Sequence, residues 1–536
     1  MTDPSADLLI RAGAVHTLVP GPAVQRAVAV RGDRVVATSA DPNGLDTWLS
    51  DRTTVHDLPD STILPAFDDT HTHLIFAGHS ANDVPVHLAH TIEEFVELIR
   101  QRAATTPEGQ WIRTTTNWQE LNLAERRMPT AAELDQATDR HPVLVKRGGH
   151  NDVVNSYALR LAGITEDTPV PAGGVIGRDA EGRLDGRLVD TAQRLVEQFV
   201  PADDPARLVD GLRLASAQYA ATGIGTVRDC AVWPDDYRTL LAAREEGALN
   251  TRVRALIATF GLSTPAQVED LLDEIEQWRY GSDPWLSVWG VKFGLDGGLE
   301  AGATEQPYTC DHSFSGTLTW EPDAFAGAVE AAVRRGWRVG THAYGDRAVR
   351  VLLDVYEQVL RNHPGLPSGT LVMEHGGLAG PEQRARAVTL GIPVTIQQPL
   401  LHDTAEVETG FWGPERVARL FPAREWLDAG ALIAGGSDFP VGQFGAMRSV
   451  WGMITRQSVI GVQGPEHAIT YDEAVSLHTT AAARLVGEHR LRGMLSPGRL
   501  ADFTVWDRDP GRCPVDELRD LNPTHTYIGG VGVVTP

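Results

Sequence analysis

Between residues 61 and 440, short runs rich in Val, Ile, Thr and Ala keep returning. Helix-patterned stretches such as PARLVDGLRLASAQYAATG and AFAGAVEAAVRRG separate them. This alternation constrains the fold more than any other feature of the chain. Strands that alternate with helices build parallel βα units. Eight candidate strands can be read: STILPAFDDTHTH (61–73), GIGTVRDC (223–230), RVRALIATF (252–260), LSVWGVKFGLDG (286–297), WRVGTHAYGD (337–346), TLVMEHG (370–376), IPVTIQQP (392–399) and ALIAGGSDFP (431–440). Eight repeats over this length predict an α/β fold with a TIM-type (β/α)8 barrel.

One interval breaks the rhythm. About 150 residues lie between the first and second candidates, far more than a βα connection needs. The excess has its own elements (TIEEFVELIRQRAAT, TAAELDQAT, HPVLVKRGG, NSYALRLAG) and reads as an insertion over 77–190, a lid or pocket wall above one barrel end. Both chain ends are rich in short β segments: LLIRAGAVHTLV and AVAVRGDRVVATS near the start, GMLSPGRLADFTVWD and HTYIGGVGVVT near the finish. The expected organisation is a small β-sandwich domain from residues 1–64 and 489–536, with the barrel over 65–488. A chain of 536 residues exceeds what one core usually supports, which agrees with two bodies.

A net charge of -24 argues against nucleic acid and against an anionic membrane surface, both of which need clustered Lys and Arg. No apolar run of about 18 residues predicts a transmembrane helix. The start, MTDPSADLLIRAG, lacks the apolar core of a secretory signal. Cys230, Cys310 and Cys513 are far apart without CxxC spacing, which fits a reducing, cytoplasmic setting. A small-molecule substrate is the expected partner, with a homodimer left open.

Chemistry in such barrels gathers at the C-terminal strand ends. Here they carry His71-Thr72-His73, Lys292, His342, Glu374-His375 and Ser437-Asp438. Residues two apart on a strand share a side, so His71 and His73 can both face the barrel mouth. With 18 histidines, about one HxH pair is expected by accident. Five strand ends bearing ligand-type groups are much harder to assign to chance. Imidazoles with a carboxylate suit zinc or a similar divalent ion. Four histidines are too many for one catalytic ion with an open position, but they suffice for two bridged ions.

Lys292 supplies a candidate bridge. Lysine occurs only at 146 and 292, and every other basic residue is Arg. At a frequency of two in 47, a lysine would fall on a given basic position about 4 % of the time. A deprotonated lysine amine can take up carbon dioxide to give a two-oxygen carbamate, whereas Arg stays charged. The competing reading is a core lysine paired with Asp296.

LPAFDDTHTHL, VKFGLDGG, THAYGDRA, MEHGG and GSDFPV together resemble the amidohydrolase superfamily, specifically its YtcJ-like metal-dependent branch, similar to N-substituted formamide deformylases. The likeness spans nearly the whole chain. It implies that His71, His73 and Asp438 bind one metal and that His342 and His375 bind the other, with carboxylated Lys292 bridging two zinc ions. It further implies a hydrolase that cleaves a non-peptide C–N bond of an amide, N-acyl or N-formyl group with a metal-held hydroxide, with Asp438 as general base and then acid. Lactone hydrolysis, deamination or a non-catalytic binding descendant are the alternatives. His150 is implied as a substrate or oxyanion contact. The first-strand motif departs from the family, which commonly has a glycine and one acidic residue before the HxH where this chain has PAFDD.

Among other residues, Trp111, Trp118 and Phe411-Trp412 are expected near the mouth, with Trp118 and Trp412 lining an apolar substrate pocket. Lys146 reads as a solvent-facing residue or a contact for an anionic group. Asp229 reads equally as an acceptor supporting a ligand histidine or as a hydrogen-bonding residue within the barrel.

Overall fold

The computed structural model describes residues 5–21, 24–147, 151–171, 174–201, 204–279, 281, 283–298 and 301–534. Eight parallel strands follow one another in chain order around a nearly closed barrel. They are β1 (Phe67–Thr72), β2 (Ile224–Val232), β3 (Arg252–Ala258), β4 (Leu286–Gly294), β5 (Val339–Ala343), β6 (Leu371–His375), β7 (Val394–Ile396) and β8 (Ile433–Gly435). Each of the eight expected segments coincides with one of them, β2 running past the end of the expected 223–230 to Val232. All nine residues of β2 and all seven of β3 are buried. Continuous burial, in place of alternation, is what helices packed outside a parallel sheet impose. The helix Asp346–Asn362 shows the matching pattern: it buries Ala348, Val349, Leu352, Leu353, Tyr356 and Val359 at helical spacing.

Closure between β8 and β1 bears directly on function. Asp438 N donates to His71 O (2.7 Å), and Thr70 Oγ1 donates to Gly435 O (2.8 Å). Gly436 permits this approach, since a Cβ there would meet His71 N at 2.6 Å.

The single strand expected over 61–73 is two. Thr54–Pro65 pairs with Leu8–Val15 and with Phe503–Trp506, whereas Phe67–Thr72 enters the barrel. Partners change within two residues: Ala66 N donates to Asp502 O, and Phe67 N to Gly223 O. Pro65, which has no N–H to offer a ladder, marks the end of the first run. Both chain ends thus meet in one seven-stranded mixed sheet. It buries Leu8, Ile10, Val28 and Phe503 in one cluster, and Leu9, Ala27 and Ala29 in another.

Residues 76–214 form a second compact unit. Its five-stranded sheet runs Ile112–Arg113, Val143–Arg147, Asn151–Val154, Leu184–Asp190, Gly174–Arg178. The helix Ile92–Ala103, capped by the Thr91 side chain, packs Phe95, Val96 and Ile99 into that unit's core. No helix among the described residues is long and apolar enough to cross a membrane.

Candidate metal centre

Because all eight strands are parallel, their C-terminal ends share one face of the barrel. His71 on β1, Lys292 on β4, His342 on β5, His375 ending β6 and Asp438 just beyond β8 all lie there. The four imidazoles form a row. Ring centroids are 5.8 Å apart for His73 and His71, 4.5 Å for His71 and His375, and 4.4 Å for His375 and His342. Asp438 Oδ1 lies 3.1 Å from His73 Nε2 and 3.5 Å from His71 Nε2. Lys292 Nζ sits 3.4 Å from His71 Nε2.

Two of these residues hold unusual backbone. His375 (φ 72°) and Asp438 (φ 58°) lie in the left-handed region that non-glycine residues rarely adopt. Such conformations cost about 1–3 kcal/mol each and persist where the surroundings enforce them. Asp69 is part of that enforcement. Its carboxylate accepts from Ser437 N (2.9 Å) and Ser437 Oγ (2.6 Å), which ties the turn bearing Asp438 to β1. Burial pushes Asp69 up to about 7 even so. The paired acids of PAFDD therefore have separate tasks, because Asp68 forms an ion pair with Arg492.

Electrostatics favour cation binding by the cluster. Burial and then the charge of Lys292 pull His71 down to about 4 and His342 to about 3. Burial, with His342 and His71 beside it, holds His375 well below the ordinary histidine range. These imidazoles are neutral, the form in which they bind metals. Burial alone would raise Asp438, but His71, His73 and His375 outweigh it and keep the carboxyl ionised, well below its ordinary range.

Ligand atoms of His71, His73 and Asp438 all lie within 4.8 Å of one another, so the trio can hold a divalent ion. His71, Cys230 and Glu374 meet the same distance test. That second trio is already engaged, since Glu374 takes Arg228 Nη2 (2.7 Å), Thr395 Oγ1 (2.6 Å) and His71 Nδ1 (2.8 Å). A cation there would have to displace a guanidinium. The first trio is the better site.

Lys292 is buried and does not pair with Asp296. Asp296 instead accepts from Ala303 N (2.8 Å), Tyr344 N (3.0 Å) and Gly345 N (2.9 Å), tying the loops after β4 and β5 together. Asp296 Oδ1 also lies 3.4 Å from His342 Nε2, which approaches Gly297 O at 3.2 Å.

The remaining expected residues fall in several places. Trp412 is buried at the end of the helix Gln398–Trp412, its ring 5.4 Å from Tyr344, whose own ring is 5.6 Å from His375. It is thus one ring removed from the centre. Trp118 is packed inside the second unit, donates Nε1–H to Lys146 O (2.7 Å) and lies 5.0 Å from Phe95, the setting of a core residue. Trp111 also packs within that unit. His150 lies outside the described residues. Lys146 pairs with Glu197 (2.8 Å) and Asp152 (3.4 Å), which replaces both expected roles. Asp229 accepts from Ile75 N (2.8 Å) and Ala231 N (3.3 Å), bracing the turn after His73. Arg228, Thr395 and Gln397 went unnoticed in the sequence. Arg228 is the one basic residue within β2 and Gln397 an amide just past β7, whereas Thr395 carries no signal because threonine is common in strands.

A family model described as the amidohydrolase family matches residues 54–534. The chain belongs to the amidohydrolase family. With its buried cluster of histidines and a carboxylate, it is a metal-dependent hydrolase. It is 28 % identical over 537 residues to the N-substituted formamide deformylase of Arthrobacter pascens, covering 98 % of each chain. It is 27 % identical over 546 residues to Protein LONG AFTER FAR-RED 3 of Arabidopsis thaliana, covering 98 % of this chain and 91 % of that one. An uncharacterized metal-dependent hydrolase from Pyrococcus horikoshii OT3 has the same fold, with a TM-score of 0.76 at 22 % identity, over 95 % of this chain and 99 % of that one.

Proposed function

We propose that this amidohydrolase cleaves a non-peptide C–N bond of an amide, N-acyl or N-formyl group at two divalent ions, zinc by the chemistry of the donors. His71, His73 and Asp438 would hold one, His342 and His375 the other, and a carboxylated Lys292 would serve both. The observation that carries this reading is the setting of Lys292. Its Nζ is buried among the histidines, and its hydrogen-bonding partner among the described residues is His71 Nε2. An ammonium so placed gives up its hydration with an imidazole as its hydrogen-bonding partner. As a carbamate the same side chain becomes an anion suited to cations on either side.

When bound, the ions would polarise the scissile carbonyl and make a water more acidic. The protein contributes the rest. Asp438, kept ionised by the surrounding imidazoles, takes a proton from the attacking water. It then gives that proton to the leaving nitrogen as the C–N bond breaks, so the products are a carboxylic acid and an amine. Tyr344, backed by Trp412, would supply an apolar wall for the N-substituent. The formamide deformylase relative supports an N-acyl substrate over a lactone or a deamination target.

Metal analysis of the purified protein, followed by screening of N-formyl, N-acyl and cyclic amide libraries with and without chelator, tests this. About two divalent ions per chain and chelator-sensitive amine release are expected. Absence of bound divalent ion, or activity indifferent to its removal, overturns the reading. Labelling with ¹³C-bicarbonate should add a carbamate carbonyl signal that a Lys292→Arg variant lacks.

A further inference from the structure

His71 and His375 stand on different strands, and each has one ring nitrogen hydrogen-bonded to a buried group away from the centre. These two bonds belong to one chain of contacts. Glu374 Oε2 lies 2.8 Å from His71 Nδ1 and accepts from Thr395 Oγ1 at 2.6 Å. Gln397 Nε2 donates to Thr395 Oγ1 at 3.0 Å, while Gln397 Oε1 lies 2.7 Å from His375 Nδ1. The other carboxylate oxygen of Glu374 takes Arg228 Nη2 at 2.7 Å. Arg228 is anchored in turn by Thr70 O (3.1 Å) and by the Trp289 ring, 4.0 Å from its guanidinium carbon. All of these groups are buried. Thr395 Oγ1 also approaches His71 Nδ1 at 3.5 Å, too long to compete with the 2.8 Å contact to Glu374.

Donor counting assigns every proton in this chain. An ionised carboxylate only accepts, so both His71 Nδ1 and the Thr395 hydroxyl must donate to Glu374. Thr395 has one proton, which is then committed, so its oxygen accepts from Gln397. That orients the Gln397 amide, leaving its carbonyl oxygen toward His375. A carbonyl oxygen accepts, so His375 must carry its proton on Nδ1. We infer that Glu374 is a positioning residue that sets the tautomers of both His71 and His375, the second through Thr395 and Gln397. Each ring thereby has an unprotonated Nε2, the form a metal ion requires. The inference rests on the reading of these two histidines as metal ligands.

Glu374→Gln tests it with almost no change in shape. Arg228 only donates, so the new amide must turn its oxygen toward Arg228 and its NH2 toward His71 and Thr395. His71 Nδ1 then has to accept, which moves its proton to Nε2. Thr395 must redirect its own proton to Gln397, the Gln397 amide reverses, and His375 inverts as well. In ¹⁵N-histidine spectra of the metal-free protein, wild type should show Nδ1–H at both rings and the variant Nε2–H at both. Zinc titrated against a chromophoric chelator should bind about 10–100-fold more weakly to the variant.

Thr395→Val cuts the chain in its middle and decides the matter if the first variant fails to fold. It should leave His71 as in wild type, release His375 to a tautomer mixture and weaken one zinc ion only. Thr395→Ser should restore the wild-type spectrum and affinity. Retention of Nδ1–H at both rings in Glu374→Gln, or a wild-type His375 signal in Thr395→Val, overturns the inference. The metal-free spectra read the relay itself, so a wild-type protein that binds no zinc refutes the metal-ligand reading and not the relay.

Discussion

Replacing Lys292 with Met should change stability in opposite directions depending on metal. Lys292 is 2 % exposed, lies 3.4 Å from His71 Nε2 and adds unfavourable charge to His71, His342 and His375. In metal-free protein its ammonium is a buried charge whose desolvation costs several kcal/mol, offset only in part by the charge of Glu374. Met has nearly the same length and flexibility without the charge. In chelator, therefore, Lys292→Met should melt above wild type. With zinc the order should reverse. An ion present at 100 times its dissociation constant stabilises the folded state by about 2.7 kcal/mol, and a variant lacking the proposed shared ligand should forgo most of that at one or both ions. Scanning calorimetry of both proteins, with chelator and then with saturating zinc, gives the four melting temperatures needed. If Lys292→Met melts below wild type in chelator, the reasoning about a buried, unfavourable ammonium is wrong. If it gains as much from zinc as wild type does, Lys292 is not a ligand.

Asp438→Asn keeps the shape but removes the proposed proton acceptor, so kcat should fall about 10²–10⁴-fold at saturating zinc while KM moves little. Steady-state kinetics within tenfold of wild type would remove Asp438 as the base. Glu488, far from the centre in sequence and function, predicts acid behaviour. Burial would raise it, but Arg492 and Arg254 hold it near 2 against an ordinary 4.5, which contributes about 3 kcal/mol. A depressed carboxyl stabilises fully above its unfolded value, so this contribution is complete above about pH 4.5 and disappears as pH falls toward 2. Denaturant titrations should show Glu488→Gln less stable than wild type at neutral pH and the gap closing below pH 4. A gap independent of pH would disprove the ion-pair origin.

The linear chain alone determined the barrel, because the period of its apolar residues dictates element type and the alternation of elements dictates parallel pairing. It also determined which residue types could serve a metal centre, since strand-end His, Lys and Asp are poor choices for a dry core. Tertiary structure decided the rest. Pro65 and Ala66 look like the interior of one strand, yet they divide the terminal sheet from the barrel because hydrogen-bonding partners change there. Trp118 resembles a pocket residue in sequence and Lys146 a solvent-facing residue or anion contact, but the second unit has its own core and ion pairs for them. Glu374 stands beside His375 in sequence while its carboxylate serves His71, some 300 residues away. Neighbours on a strand point to opposite sides, and only the folded barrel brings the Glu374 carboxylate on β6 to His71 on β1.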